Sequence, residues 1–357
     1  MNLLKRKLLG GTNNFENSRK GITSLAILSS VVGLDMSPQS KFASELVASH
    51  MATCLAVSED RERLIVVYPS EPLLSEAAFE LMSASTLSQI LTQFNILLKK
   101  SIVEPGPRGE IVARIILVLV AHRLRAQRAE NSVKAFLNEL YKEDSMPDLS
   151  NAKPEFIEGT VAFTHFNAIE YVPTKKTLEE FYIKRCAFIM KRNHPGVDIC
   201  IPVKLVTGGY SIIIIQIKNI NFSSVKADEN YPSSARFMLS CNYVFNNSDL
   251  KEHDEQYLCL YWQLRFQGHY QEIPKLQDTR SSESRKLNIC WASFGFDHFK
   301  MNKDVASILK DILVSHISPF ESEWQVNNVD KGDIWHWKEL KIMHPLGYYE
   351  YNYEEKK

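Results

Sequence analysis

The sequence predicts a mixed α/β fold, in which a mostly helical N-terminal part leads into a β-sheet core flanked by helices. Three observations carry this. A break at Pro105-Gly-Pro-Arg-Gly109 opens the most apolar run of the chain, Ile111 to Ala121, which reads as a buried helix. Gly196 to Val203 and Tyr210 to Asn219 are short, largely apolar runs either side of the turn signal Thr207-Gly208-Gly209, the pattern of a β-hairpin. Two further β-type runs, Tyr257 to Leu264 and Leu287 to Phe296, follow it.

Taken in order, residues 1–40 are rich in Ser, Asn and Gly and read as a poorly ordered extension. Residues 41–150 are the mostly helical region. Its first segment, 41–58, fits a helix with Leu46, Val47, Met51 and Leu55 on one side, and Leu64 to Tyr68 reads as a short strand. Pro69-Ser-Glu-Pro72 starts helical segments over 73–81 and 87–100, where Lys99-Lys100 suits the negative end of the helix dipole. Further helices run from Glu110 to Arg128 and from Asn131 to Tyr141, and Asp144 to Pro154 is a polar connection. The sheet-rich core, 151–320, shares the 109–128 helix. It holds a strand-like Val161–Phe166, a helix over Thr177–Arg192, the hairpin, a polar loop at 221–236 and the two later strands, with charged 271–286 between them. A helix over Asn302–Val314 closes the core, and 321–357 is an aromatic, acidic tail.

Composition bounds the function. At 357 residues, 45% hydrophobic and 24% charged, the chain has ample material for a core. Lys plus Arg equals Asp plus Glu at 42 each, so no global field draws it to nucleic acid, and any such contact would come from local patches. The six cysteines show no Cys-x-x-Cys spacing and read as buried free thiols in a reducing compartment, rather than disulfides or zinc ligands. The Ile111–Ala121 run is too short for a membrane span and contains Arg114. Lys5-Arg6-Lys7 is too small a cluster for a nuclear signal, and the polar stretch after Leu9 breaks the order of a conventional signal peptide. The expected location is intracellular, cytoplasmic or nuclear. No P-loop, His-Glu-x-x-His, nucleophile elbow or dinucleotide glycine fingerprint occurs.

Chemistry concentrates on the hairpin. Residues two apart on a strand share a face, so Gln216 and Lys218 point one way and Ile217 the other. With the turn centred on Gly208, Asp198 lies across from Lys218 and Cys200 across from Gln216, on that same face. A carboxylate, an amide and an ammonium on a buried sheet are costly unless paired or used. Together they suit a magnesium nuclease, because Mg²⁺ takes oxygen ligands and usually only one or two carboxylates. Asp198 would be the direct ligand and Gln216 would offer its amide oxygen. Lys218 would orient the attacking water and offset charge on the phosphate. The bland alternative is a strand-edge Asp198 bonded to a loop, with Gln216 and Lys218 marking where the strand leaves the core.

The pattern resembles the PD-(D/E)XK superfamily. That resemblance implies a restriction-endonuclease-like mixed β-sheet core, with an acid on the first helix, Asp on a strand and Glu/Asp/Gln-x-Lys on the next. Gly-Val-Asp198 stands for the first strand element and Gln216-Ile-Lys218 for the second. Glycine-valine replaces the proline, and glutamine replaces the commoner carboxylate, which removes one negative charge from the metal site. For the helix acid the resemblance points to Glu110. Its bland readings are an i,i+4 pair with Arg114 or a carboxylate on the helix dipole. Glu179 and Glu180, just before the hairpin, are rivals with solvated neighbours. The implied catalytic set is Asp198, Gln216, Lys218 and Glu110. The implied metal ligands are Asp198, Glu110 and Gln216, with Mg²⁺ or Mn²⁺ as cofactor.

Over about residues 45–320, Tyr68-Pro-Ser-Glu-Pro-Leu-Leu-Ser-Glu-Ala-Ala78, Arg108-Gly-Glu-Ile-Val-Ala-Arg114, Phe163-Thr-His-Phe166 and Val197-Asp-Ile-Cys-Ile-Pro-Val203 precede Gln216-Ile-Lys-Asn219. This series looks like the C-terminal nuclease part of fungal Crinkler and retrotransposon-hot-spot proteins, which join such a nuclease to a P-loop NTPase. It implies nucleic acid as the partner, DNA rather than RNA, and an NTPase domain that is separate or missing. The alternative is a catalytically inactive nuclease-fold module that binds nucleic acid or a protein, which the glutamine and the zero net charge motivate. His165 reads as a structural histidine, and His122–Arg128 as a solvated basic helix end rather than a phosphate contact.

Overall fold

The computed structural model describes residues 1–34, 42–59, 64–69, 71–82, 84–99, 108–127, 131–191, 194, 196–219, 256–264 and 289–314. The tail at 321–357, the loop at 221–236 and the charged stretch at 271–286 lie outside these residues.

The first 34 residues correct the expectation of a poorly ordered extension. They form α1 (Asn2–Leu8) and α2 (Lys20–Val32), and α2 is buried all round from Ile22 to Val32. A helix without a polar face belongs inside a protein. Its serines hid this in the sequence, because small hydroxyl residues lower the apparent hydrophobicity while fitting a close-packed interior. The segment 41–58 also divides differently. α3 (Ala43–Ser49) is followed by Met51 at φ 68, outside helical geometry, and then by β1 (Thr53–Val57), which pairs antiparallel with β2 (Leu64–Val67).

α4 (Pro72–Leu81) starts as its residues dictate. Pro72 occupies the first turn, where a missing N–H is harmless, and the Glu71 side chain accepts from the Leu73 N–H. α5 (Ala84–Lys99), α6 (Arg108–Ala126) and α7 (Val133–Leu140) complete the helical half, and short α8 (Pro154–Ile157) leads to the sheet. α6 is the pillar, buried at every position from Ile111 to Ala121. From it, Arg114 Nη1 donates to the carbonyls of Val32 and Gly33 at 2.7 and 2.8 Å, satisfying the end of α2.

The strands are β3 (Thr160–Val161), β4 (His165–Ala168), β5 (Cys186–Ile189), β6 (Ile199–Lys204), β7 (Tyr210–Lys218), β8 (Leu258–Gln263) and β9 (Ile289–Phe294). They make a mixed seven-stranded sheet in the order β4-β5-β6-β7-β8-β9, with β3 against the far end of β6. β6 runs antiparallel to both its neighbours, while β7, β8 and β9 are parallel. The single helix expected over Thr177–Arg192 is instead α9 (Lys175–Ile183) followed by β5, with Arg185 turning at φ 51 between them. An apolar run buried on both faces, such as Cys186–Ile189, has no periodicity to tell strand from helix. α10 (Lys303–Val314) closes the described chain.

Two cores flank the sheet. Ile199, Ile201, Ile213, Ile215, Ile217 and Trp262 face the large core, which the buried residues of α2, α5, α6, α7 and α10 share. Cys200, Ile212, Ile214, Cys259 and Tyr261 face a smaller cluster closed by Leu178 and Phe181 of α9. Cys54, Cys186, Cys200 and Cys259 form no disulfide among the described residues. No helix among the described residues is long and apolar enough to cross a membrane.

The hairpin register differs from the expected one. Ile199 pairs with Ile215 and Lys204 with Tyr210, so the turn centres on Thr207 and Asp198 falls beside Gln216 rather than Lys218. Cys200 accordingly faces Ile214. The cause is the loop Leu205–Gly209. Its ends are tied by Leu205 N–H to Gly209 O at 2.8 Å, and Gly208, at φ +92, takes the left-handed position past the centre. The slip is two residues, so the faces are unchanged; a slip of one would have reversed them.

Candidate active site

Asp198 sits where β6 enters the sheet and is fixed by both neighbouring strands. Its N–H donates to Ile215 O and its carbonyl accepts from Met190 N–H, each at 3.0 Å. Its side chain then does the work of a backbone group, with Oδ2 accepting from the Ile217 N–H at 2.6 Å. Burial raises this carboxyl from its ordinary 3.8 to about 7, and the charge of Glu110 adds to the rise. The Ile217 hydrogen bond and the charge of Lys218 oppose it. Glu110, Asp198 and Lys218 therefore share one electrostatic environment.

Gln216 lies beside Asp198 and is 3% exposed. Its Oε1 is buried and accepts no hydrogen bond among the described residues. An unmet buried acceptor costs about 1–3 kcal/mol. Asn219 Oδ1, just past the end of β7, is in the same condition.

Glu110 reaches this end of the sheet because α6 begins against it. A Cβ on Gly109 would lie 2.8 Å from Asn219 Cβ and 3.4 Å from Ile217 Cγ2, so only a glycine lets the first turn of the helix approach β7 so closely. The rival acids do not join the group. Glu179 and Glu180 are exposed on α9, and Glu180 faces Lys176 at 3.8 Å.

Two residues that sequence reasoning missed complete the row. In the parallel pairing of β7 and β8, Tyr261 stands beside Gln216 and Gln263 beside Lys218. Both are buried, and the Tyr261 hydroxyl donates to Gln263 Oε1 at 3.3 Å. Burial, and then the charge of Asp198, push the Tyr261 phenol up to about 12, so it stays a neutral donor. The signal was available: Tyr261-x-Gln263 repeats the polar-x-polar spacing of Gln216-x-Lys218 at the same end of a β-type run.

The remaining candidates lie apart from this cluster. His165 on β4 is 1% exposed, and burial lowers its ring to about 4; its Nδ1 lies 3.0 Å from Thr164 Oγ1. On the basic end of α6, Arg123 bonds the Glu139 carboxylate and Arg125 bonds Glu76, while His122 stacks on Phe79.

The oxygens here that could hold a cation are the Asp198 carboxylate and the Gln216 amide, with Glu110 at the start of α6 acting on Asp198 through its charge. Among the described residues no group of three or more His, Cys, Asp or Glu side chains gathers for a metal. The set fits a hard, oxygen-seeking ion that takes few carboxylates, and does not fit a zinc centre. No curated protein and no solved structure matches the chain. A family model described as a domain of unknown function (DUF8736) matches residues 13–315, a span that includes every residue of this cluster, and the chain belongs to that family.

Proposed function

We propose that the chain hydrolyses phosphodiester bonds of DNA in a metal-dependent reaction, on a restriction-endonuclease-like core of PD-(D/E)XK type. The observation that carries this reading is the Gln216 Oε1, a buried acceptor without a donor among the described residues, beside a carboxyl that burial and Glu110 raise to about 7. Such oxygens are suited to a divalent cation, which satisfies the amide and offsets the repulsion between the carboxylates. The sheet supports the reading with an antiparallel hairpin followed by a parallel strand, and with a helix acid brought to the hairpin's open end.

Asp198, Glu110 and Gln216 would hold Mg²⁺ or Mn²⁺, which when bound supplies Lewis acidity and eases deprotonation of water. Lys218, on the face of Gln216, would orient the attacking water and offset charge gathering on the phosphate. The water oxygen bonds to phosphorus as the P–O bond opposite breaks. The departing oxygen takes a proton, leaving a phosphomonoester and a hydroxyl-ended strand. On this reading the protein works inside the cell, alongside a P-loop NTPase supplied by another chain or domain.

The test is purified protein with plasmid DNA and Mg²⁺ or Mn²⁺, against Asp198→Ala and Lys218→Ala. Metal-dependent cleavage lost in both variants is the expected result. Cleavage that survives either substitution overturns the assignment. Absent cleavage combined with metal-independent DNA binding would favour an inactive binding module, for which the amide at Gln216 is the motivating feature.

A further inference from the structure

A second site lies at the other end of α6. A cavity of about 130 Å³ opens there between α6, α7 and the strand β3, lined in part by Arg125, Asn131, Thr164 and Arg185. Both arginines are held from behind by one carboxylate oxygen: Arg125 Nη2 lies 2.7 Å and Arg185 Nη1 3.3 Å from Glu76 Oε1. Arg125 is further fixed over the Phe79 ring, 5.7 Å from its centroid. Among the described residues, two guanidiniums against one carboxylate leave a net positive charge at the cavity wall.

The negative end of the α6 dipole accounts for Arg123 and Arg125 on its last turn, but not for Arg185, which arrives from another element. Arg185 stands at φ 51, just after α9, where a glycine is the unstrained residue. Its carbonyl accepts from the Thr164 N–H at 2.8 Å and from the Thr164 hydroxyl at 3.2 Å, which locks this turn against the cavity. A strained backbone that carries an arginine into a cavity is the pattern of a side chain kept for its chemistry.

We infer that this cavity binds a phosphate group, with Arg125 and Arg185 as its cationic walls and Asn131 and Thr164 as polar neighbours. Paired guanidiniums, pre-organised and only partly neutralised, match the charge and the multiple acceptor oxygens of phosphate. The inference does not rest on the proposed nuclease reaction, since none of the cleavage residues lines the cavity.

Calorimetric titration of the full chain with inorganic phosphate, at constant ionic strength set by NaCl, tests it. Saturable binding is expected, weakened about tenfold or more by Arg125→Gln or Arg185→Gln and retained by Lys134→Gln on the exposed face of α7. Arg185→Gly guards against misfolding as an explanation. It relaxes the left-handed turn, so it is expected to keep or raise the melting temperature while losing phosphate. Competition by a 5′-phosphorylated but not a 5′-hydroxyl oligonucleotide would assign the phosphate to a nucleic-acid end; competition by neither would assign it to small solutes. Absent saturable binding, or Arg185→Gly and Arg185→Gln binding as the parent does, overturns the inference.

Discussion

The two ends of α6 treat charge in opposite ways. At the carboxyl end each arginine has its acid: Arg123 bonds the Glu139 carboxylate and the carbonyls of Glu139 and Lys300, and Arg125 bonds Glu76. At the amino end, Glu110 acts on Asp198 with charge of the same sign, and Gln216 buries an acceptor with no donor among the described residues. Complementary partners hold a helix in place. Like charges and unmet oxygens weaken the fold, and persist where a site requires them. The carboxyl end of α6 is therefore held by opposite charges, while the amino end carries the strained cluster to which cleavage is assigned, and each substitution below tests that contrast.

The largest effect is expected at Asp198. Asp198→Asn should lower metal-dependent cleavage by two to three orders of magnitude or more, roughly the loss from removing one charge-stabilising group. The same change should stabilise the protein in neutral solution. The folded state holds the Asp198 proton up to about pH 7, while the unfolded carboxyl releases it near 3.8. The group's contribution is therefore full below that lower value and is lost as pH rises through 7. At pH 8, Asp198→Asn should exceed the parent by on the order of 2–4 kcal/mol, each pKa unit being worth about 1.4 kcal/mol, and the gap should close towards pH 4. His165 has the opposite sign, losing stability as pH falls from 6.5 to about 4, but it is common to both proteins and drops out of the difference. Denaturant midpoints across this range measure the gap; a gap that does not change with pH would mean an unperturbed carboxyl.

Gly109→Ala comes next. The added methyl meets Asn219 Cβ at 2.8 Å, so either the helix or the strand end must move. A loss of about 1–3 kcal/mol is expected, as for other insertions into well-packed contacts. Because Glu110 is the adjacent residue, cleavage should fall in parallel and approach that of Glu110→Gln. Unchanged stability with unchanged cleavage would show that α6 does not depend on this contact to bring its acid to the sheet.

Gly109, Asp198, Gln216 and Lys218 also mark how far the sequence could be read. The hairpin, its faces and the apolar helix were legible, because period-two alternation and an apolar run bounded by Pro and Gly are local signals. The approach of Glu110 was expected only through a family resemblance. What brings it there is a contact between Gly109 and Asn219, far apart in the chain, that no local pattern encodes. The exact pairing was missed because a Thr-Gly-Gly turn leaves its centre open by one residue, and a shift of two in register preserves every face. β5 and the buried α2 were missed for a different reason. Once an element is apolar or small on all sides, the contrast that reveals periodicity is gone. Tyr261 was overlooked because a tyrosine in a strand reads as packing until its neighbours across the sheet are known.

A smaller effect of opposite sign is expected for Gln216→Met. The side chain keeps its length and loses its polar end, so the unmet acceptor disappears while the packing beside Ile214 and Tyr261 stays filled. A gain of about 1 kcal/mol in the denaturant midpoint is expected, together with loss of metal-dependent cleavage. Destabilisation instead would mean that the amide oxygen has a partner in solution, and the amino end of α6 would then resemble the carboxyl end.

The smallest effect belongs to Glu139→Gln. Its carboxylate meets Arg123 and lies 3.6 Å from Lys300 Nζ, but Arg123 keeps its bonds to the Glu139 and Lys300 carbonyls whatever the side chain does. The expected loss is about 0.5–1 kcal/mol, the range of partly exposed ion pairs, and it should shrink as salt is raised. Cleavage should not change, because the tie acts on the last turn of a helix whose first turn is fixed independently by Gly109 against β7. If this substitution lowered cleavage as much as it lowered stability, α6 would be moving as one lever. The contrast between its ends would then be one of geometry alone.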